Sequence, residues 1–520
     1  MYIRHIGTDG MVEQFFKDKP EIGGADTETT GLHIKMDKAF LVIFGWEGHT
    51  YTFEPTPINM MRMYECVQQL DKLYFWNTKF DMHMLRNAGH PYPYKNLSDG
   101  MFLARLSLNA DDKQSLALKA IANRFVKASS SMLQDEVKAE LTNLRKIRNK
   151  VFYGYMKEAT QFTKAQIDEY LSDPVLERPK GFDELVKAFE QDYPEPNYSN
   201  VPMELMYKYA SSDVEMMLEF IKMAMPVVKY RDQLNTLKLE EDVIYALYEM
   251  ESVGFKTDRQ YLEDSKVKVK EYIVQLRNEL TEIYGAPLKV GQHAKIKQHL
   301  VKNGLKVDGA DEANLIRAKA QAEGDLKRFC DLVVELRTLE KWYSTYILRI
   351  LEGSRQDGRS YTSINQAGTV SGRVSSGFQQ FPKDNLHDSE GNVLFEPRKA
   401  FTVTGGGYDS IYYLDYSQIE LRVQADYTFK ISGGDTNLCR AYMPFECKRA
   451  SGEKFDPMNR QHLTEWGSGD WLLPNGELWQ PTDVHGATTS QAFPELEVGS
   501  KDFKDMRKIG KTVNFARHTV

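Results

Sequence analysis

Asp415-Tyr416-Ser417-Gln418-Ile419-Glu420-Leu421-Arg422 is the most telling run of eight residues in this chain. The apolar run Ile411-Tyr412-Tyr413-Leu414 stands before it, and a helix-like segment follows at once. This order predicts a strand that ends at Asp415 and delivers one carboxylate to its exposed C-terminal edge. A carboxylate in that position is open to a divalent metal, which takes oxygen ligands, and to a substrate. Ser417 and Glu420 are also spaced as a capping box at a helix start.

The octapeptide resembles motif A of family A DNA polymerases, the DNA polymerase I type. The resemblance implies that Asp415 binds two metal ions with help from the Tyr416 carbonyl, since nucleotidyl transfer needs carboxylate-held divalent metal. It implies that Gln418 and Glu420 lie at the nucleotide, Glu420 under the sugar where it excludes a 2′-hydroxyl.

Other stretches extend the likeness. Gly254, between Met250-Glu251-Ser252-Val253 and Phe255-Lys256-Thr257-Asp258, resembles the opening of the family's thumb. Gly368-Thr369-Val370-Ser371-Gly372-Arg373-Val374-Ser375-Ser376, with Gln379 and Pro382, is similar to the stretch that touches the primer–template minor groove. There Arg373 and Gln379 are the DNA-contact candidates, and the groove's degenerate acceptor pattern suits an enzyme that accepts any sequence. Arg398-Lys399-Ala400-Phe401 also fits the pattern. Asp483-Val484-His485-Gly486-Ala487-Thr488-Thr489 resembles a fingers motif with His485 near the phosphates. Arg507, Lys511 and Phe515 follow at i, i+4 and i+8, one stripe of a helix. This is similar to motif B, where two cations and an aromatic clamp the incoming nucleotide. After Asn514-Phe515 the chain reads Ala516-Arg517-His518-Thr519-Val520, where the family continues to a Tyr-Gly pair and later a His-Asp-Glu segment. The expectation is a gene interrupted by an intron or intein, or otherwise divided. A complementary C-terminal fragment would then supply the second metal-binding acid, without which no primer extension is expected.

A second set of acids lies near the N-terminus. Asp26-Thr27-Glu28 puts two carboxylates at i and i+2, on one face of a strand. Asn77-Thr78-Lys79-Phe80-Asp81 brings a third acid after the apolar strand Leu73-Tyr74-Phe75-Trp76. Tyr209-Ala210-Ser211-Ser212-Asp213 brings the last, with tyrosine and acid on one helix face. Together they resemble the proofreading 3′–5′ exonuclease domain with four acids and a tyrosine. The resemblance assigns Asp26, Glu28, Asp81 and Asp213 as ligands of two metals and Tyr209 as the residue that orients the attacking water. Asp99 is read as structural. The first motif begins by residue 26, with no 5′-nuclease domain ahead of it, an organisation like that of a bacteriophage replicative enzyme.

The chain has 520 residues, enough for three or four domains. Hydrophobic residues make up 41% and charged residues 27%, as in ordinary globular proteins. No apolar run is long enough to span a membrane, and the N-terminus lacks a signal peptide's apolar core. Cys66, Cys330, Cys439 and Cys447 show no metal-like spacing and read as free thiols in a reducing compartment, here the cytoplasm of a bacterial host. Net charge is −7, so any phosphate contact is local. One basic stretch, from Lys256 through Lys266, Lys268, Lys270, Arg277 and Lys289 to Lys306, reads either as a solvated helix face or as a phosphate contact.

The expected architecture is an α/β ribonuclease H-like exonuclease domain (1–228, with a helical surface insertion at about 111–200), an α-helical thumb (229–365) and a partial α+β palm with motif A (366–426). A loop-rich insertion and incomplete fingers (427–520) complete it. Leu239, Val243, Leu247 and Met250 are expected to face the thumb's core. The expected cofactor is Mg²⁺, two per active site, with Mn²⁺ as an alternative. Expected partners are primer–template DNA and dNTPs, with the processivity factor left open. Two other readings remain: an exonuclease of the ribonuclease D kind, and a DNA-binding subunit that acts when a complementary chain docks.

Overall fold

Six strands form one mixed sheet: Ile3–Ile6 (β1), Ile22–Thr29 (β2), Ala39–Trp46 (β3), His49–Phe53 (β4), Lys72–Phe75 (β5) and Leu97–Asp99 (β6). Their order is β1-β4-β3-β2-β5-β6. β2, β3 and β4 are antiparallel neighbours, whereas β5 runs parallel to β2, β6 to β5 and β1 to β4. The computed structural model describes residues 2–91, 96–108, 115–126, 130–369, 371–403, 410–412, 414–416, 418–432, 437–456, 458–459, 461–462 and 470–516, without the side chains of 130–132, 432, 437 and 513–516. The chain divides into two compact units, Met1–Asp409 and Ser410–Val520.

β3 is an almost unbroken apolar run, so it is buried on both faces in the middle of the sheet. Helix Met203–Tyr230 packs across β2, β3 and β4. It comes close because position 24 carries no side chain. A Cβ there would stand 2.9 Å from Met217 Cε and 3.1 Å from Leu218 Cγ. A 2.9 Å hydrogen bond between the hydroxyls of Thr52 and Ser211 ties the same helix to β4.

Among the described residues, the segment expected to be a surface insertion forms four α-helices: Leu118–Phe125, Ser130–Thr160, Lys164–Ser172 and Phe182–Asp192. The last three enclose a small core of their own around Phe152, Met156, Ile167, Phe182 and Phe189. The first brings Lys119 to an acid of the N-terminal set.

Long helices follow at Leu234–Val253, Arg259–Tyr284 and Gly324–Lys341. The last two pack on each other in a second apolar core. On Leu234–Val253 the buried positions are Leu237, Glu241, Ile244, Leu247, Tyr248 and Glu251. Leu239 and Met250, expected in the core, are 60% exposed. The buried stripe is rotated because two carboxylates find partners inside: Glu241 with Lys72, and Glu251 with Lys79 and His83. Several cations of the basic stretch are also engaged, Lys266 with Glu263, Arg277 with Asp173 and Glu340, and Lys289 with Glu169.

In the second unit the expected strand over 411–414 is not formed by its described residues. Tyr412 and Leu414 are 82% and 94% exposed, and no described segment supplies the ladder partner a strand requires. Helix Ile419–Ser432 does follow, packing Leu421 and Ala425 against Cys439 and Tyr442. Its opposite side leaves Ile419, Val423, Tyr427 and Ile431, one every four residues, in water. The stretch read as a loop-rich insertion carries its own small core of Met443, Cys447, Phe455, Trp471 and Trp479.

Candidate active sites

Asp26 and Glu28 lie on the face of β2 that helix Met203–Tyr230 covers. Gly24, two residues earlier on that face, admits Met217 and Leu218, and Asp213 lies one turn before Met217. The outcome is a cluster in which one carboxylate oxygen each of Asp26, Glu28 and Asp213 lie within 4.8 Å of one another. Among the described residues this is the only group of three or more metal-ligating side chains so placed.

Asp81 lies beside this triple rather than in it. It sits on helix Thr78–Asn87, after β5, and accepts a 2.6 Å hydrogen bond from the Thr27 hydroxyl, between the two β2 acids. Asp99, at the end of β6, accepts from the backbone amides of Asn77 (3.1 Å) and Thr78 (2.8 Å) and caps its own following helix through the Met101 amide (2.9 Å). It therefore holds the start of the helix that carries Asp81, consistent with a structural role.

The electrostatics follow from crowding acids in a buried cleft. Burial, then Asp213, pushes the Asp26 carboxyl up to about 7. Burial, then Asp26 and Asp213, holds Glu28 well above the usual carboxylate range. Asp81 is raised by burial and Asp26, against the Thr27 hydrogen bond. Asp213 is raised by burial, against Lys119. The Tyr209 phenol is pushed up by burial and then by Asp213 and Glu28, so it stays protonated and able to donate. Hard carboxylate oxygens at this separation and short of countercharge fit a divalent cation of the magnesium kind.

Sequence reasoning passed over Lys119. Its ammonium donates to Asp213 Oδ1 and stands 4.2 Å from the centre of the Tyr209 ring. Nothing around Leu118-Lys119-Ala120 marks it out, since the contact depends on how its helix docks through Ile121 and Ala122.

The motif A residues have a different setting. Asp415 is exposed and Tyr416 is 78% exposed. Gln418 takes a left-handed backbone (φ 55) and accepts a 2.9 Å hydrogen bond from the Tyr442 hydroxyl. Glu420 is exposed in the first turn of its helix, and Ser417 lies outside the described residues. Farther along, helix Lys501–Ala516 crosses helix Val484–Ala492 at Gly510, where a Cβ would stand 2.3 Å from Thr489 Oγ1 and 2.9 Å from the His485 carbonyl oxygen. This crossing brings His485, Arg507 and Lys511 into one electrostatic neighbourhood. His485 is buried, and its pKa is lowered by burial and then by Arg507. Arg507 is gripped by both oxygens of Asp483 at 2.8 and 2.7 Å. The Phe515 side chain lies outside the described residues.

In the first unit, Gln379 closes a short turn by accepting from the Ser376 amide (3.2 Å) and donating to the Val374 carbonyl (3.2 Å). Arg373 is exposed, and its carbonyl accepts from the Thr369 hydroxyl at 2.6 Å.

Comparison with known proteins adds the following. Residues 259–517 match the family model described as DNA polymerase family A. DNA polymerase I of Helicobacter pylori strain J99 is 25% identical over 297 residues, which is 54% of this chain and 31% of that protein. The Bacillus subtilis DNA polymerase I is 31% identical over 220 residues, 41% of this chain and 24% of its own length. The thermostable DNA polymerase I of Thermus aquaticus is 30% identical over 211 residues, 39% and 24% of the two chains. The chain spans about a third or less of the length of these relatives. A solved structure described as the POL domain of Pol1 from M. smegmatis in complex with DNA primer-template and dNTP has a similar fold. Its TM-score is 0.56 at 16% identity, over 98% of this chain and 70% of that one.

Proposed function

With residues 259–517 belonging to DNA polymerase family A, we propose that this chain joins a 3′–5′ proofreading exonuclease to the polymerase segment of a DNA-directed DNA polymerase. The observation that carries the nuclease half is the gathering of Asp26, Glu28 and Asp213 within 4.8 Å, with Asp81 hydrogen-bonded alongside. The sheet order, with three antiparallel strands followed by two parallel ones, supports the ribonuclease H-like reading of that region.

In this reading Asp26, Glu28, Asp81 and Asp213 would hold Mg²⁺ or Mn²⁺. Bound there, divalent metal supplies water activation and stabilisation of the leaving 3′ oxygen. The chain's own groups do the rest. Thr27 fixes the Asp81 carboxylate, and Asp99 fixes the helix that carries it. The Tyr209 hydroxyl, kept protonated, orients the attacking water by donating or accepting along one hydrogen bond.

In the polymerase segment Asp415 and the Tyr416 carbonyl would bind metal, and Gln418, Glu420, His485, Arg507, Lys511 and Phe515 the nucleotide. Arg373 and Gln379 would face primer–template DNA. The described residues do not assemble a two-metal set around Asp415, so this half rests on the family match. Arg507 would have to exchange Asp483 for a phosphate.

A primer–template assay with and without dNTPs tests the assignment. Without dNTPs the full chain should shorten the primer from its 3′ end. Asp26→Ala with Glu28→Ala should reduce that rate by at least about a thousandfold, the scale for losing a preorganised electrostatic group. Unchanged degradation in the double variant would remove the nuclease site from this cluster. The ribonuclease D kind of exonuclease predicts the same degradation, but residues 259–517 favour a polymerase origin.

A further inference from the structure

We propose that Lys119 is a built-in counter-cation of the acid cluster, holding the position at Asp213 that a divalent metal takes and giving it up when the metal binds. The inference rests on reading the cluster as a metal-holding nuclease site.

The geometry supplies the argument. The Lys119 ammonium donates to Asp213 Oδ1, one of the three carboxylates whose ligand oxygens lie within 4.8 Å of one another. It is the one cation in the described ion pairs that meets this triple. The nearest alternative in the sequence motifs, Lys79, is taken up by Glu251 and the Ile364 carbonyl. Carboxylates at this separation repel one another and lose water, and a cation on one of them offsets part of that cost. A magnesium ion demands close carboxylate oxygens in a fixed arrangement. An ammonium on Asp213 is therefore in competition with it.

Lysine suits a part that must move. Its charge is compact and strongly hydrated, on a stem of four rotatable carbons. The Lys119 side chain is 18% exposed, so it has a way out to water. Leaving would also uncover the face of Tyr209, over which its ammonium stands at 4.2 Å. Occupation by Lys119 and readiness of Tyr209 are then alternatives, and metal arrival selects the second.

The test is Mg²⁺ titration calorimetry on the full chain without DNA, with thermal melting in EDTA and in MgCl₂. Wild type, Lys119→Met, Lys119→Gln and Lys119→Arg are compared, and the heat that survives in Asp26→Ala/Glu28→Ala sets the background. The neutral variants should bind Mg²⁺ about tenfold more tightly than wild type. They should melt lower in EDTA and recover most of the difference in MgCl₂. Lys119→Arg should stay near wild type. Mg²⁺ binding in the neutral variants that equals or falls below wild type overturns the proposal and leaves the nuclease reading standing. Failure of both neutral variants to fold even with MgCl₂ also overturns it, because the metal should replace the lysine. Wild-type heat no greater than background overturns the proposal and the metal-holding reading together.

Discussion

The acids near the N-terminus and Asp415, both proposed to hold the same ion, stand in opposite surroundings. Asp26, Glu28, Asp81 and Asp213 are fixed by a central strand, two helices and the Thr27 hydroxyl in a cleft where Asp26 is half-buried and the other three are buried. Asp415 stands exposed between Leu414 and Tyr416, 94% and 78% exposed. The first set has a firm scaffold, because β2 is paired with β3 from Gly24 to Thr29 and with β5 from Ile22 to Gly24. The second has a good helix after it and, among the described residues, no ladder before it. Around the first set the backbone has somewhere to put its own hydrogen bonds, and that fixes where the carboxylates stand.

That contrast can be broken by experiment. After the double acid substitution, the largest effect should come from Glu251→Ala. This buried carboxylate pairs with Lys79 at 3.2 Å and His83 at 2.9 Å and accepts the Ile364 amide at 2.6 Å. Removing it takes the acceptor from buried His83 and from the Ile364 amide and leaves Lys79 with the Ile364 carbonyl alone, at about 3–5 kcal/mol. Urea denaturation should show the first unit losing stability by that amount. A loss under about 1 kcal/mol would mean that the network is loose.

The pH dependence of the first acid site comes next. The folded chain holds the Asp26 proton up to about 7, whereas an unfolded aspartate releases it near 3.8. The folded state binds the extra proton between those values, so metal-free stability should fall as pH rises through that window. Mg²⁺ should flatten the fall, and Asp26→Asn should remove much of it. Melting curves from pH 4.5 to 7.5, with EDTA or MgCl₂, read all of these.

Gly510→Ala tests the packing that groups His485, Arg507 and Lys511. The added methyl would meet backbone at 2.9 Å, so the second unit should lose about 1–3 kcal/mol and be cut sooner by protease. Asp483→Asn sits at the small end. Its partner Arg507 is 36% exposed and Asp483 47%, so the change should be below about 1 kcal/mol. By freeing Arg507 it should also increase retention on a phosphate-bearing resin.

Much of this was legible from residues alone. The unbroken apolar run 39–46 and the Asp26/Glu28 spacing mark β3 and β2, because burial on two faces and alternation leave strong traces. Tyr209 and Asp213 announce one helix face. Asp81's indirect place, behind Thr27, leaves no trace in spacing. Neither does Lys119, which arrives from a helix 94 positions away in sequence. The aromatic run 411–414 reads as a strand because propensity is local, while a ladder needs a second segment. Leu239 and Met250 mislead for the opposite reason. Their periodicity is helical, but buried ion partners turn the helix so that Glu241 and Glu251 face inward.

The Glu251 arrangement has one more consequence. Residues 364–369 hang from helices outside their own segment. Lys79 donates to the Ile364 carbonyl at 2.5 Å, Glu251 takes its amide, and Arg105 donates to the Thr369 carbonyl at 2.6 Å. The Ile364 amide is therefore a natural reporter. Its rate of deuterium uptake is set by whether the helix carrying Asp81 and the helix carrying Glu251 stay clasped, so one backbone proton registers opening between those helices and the loop at 364–369.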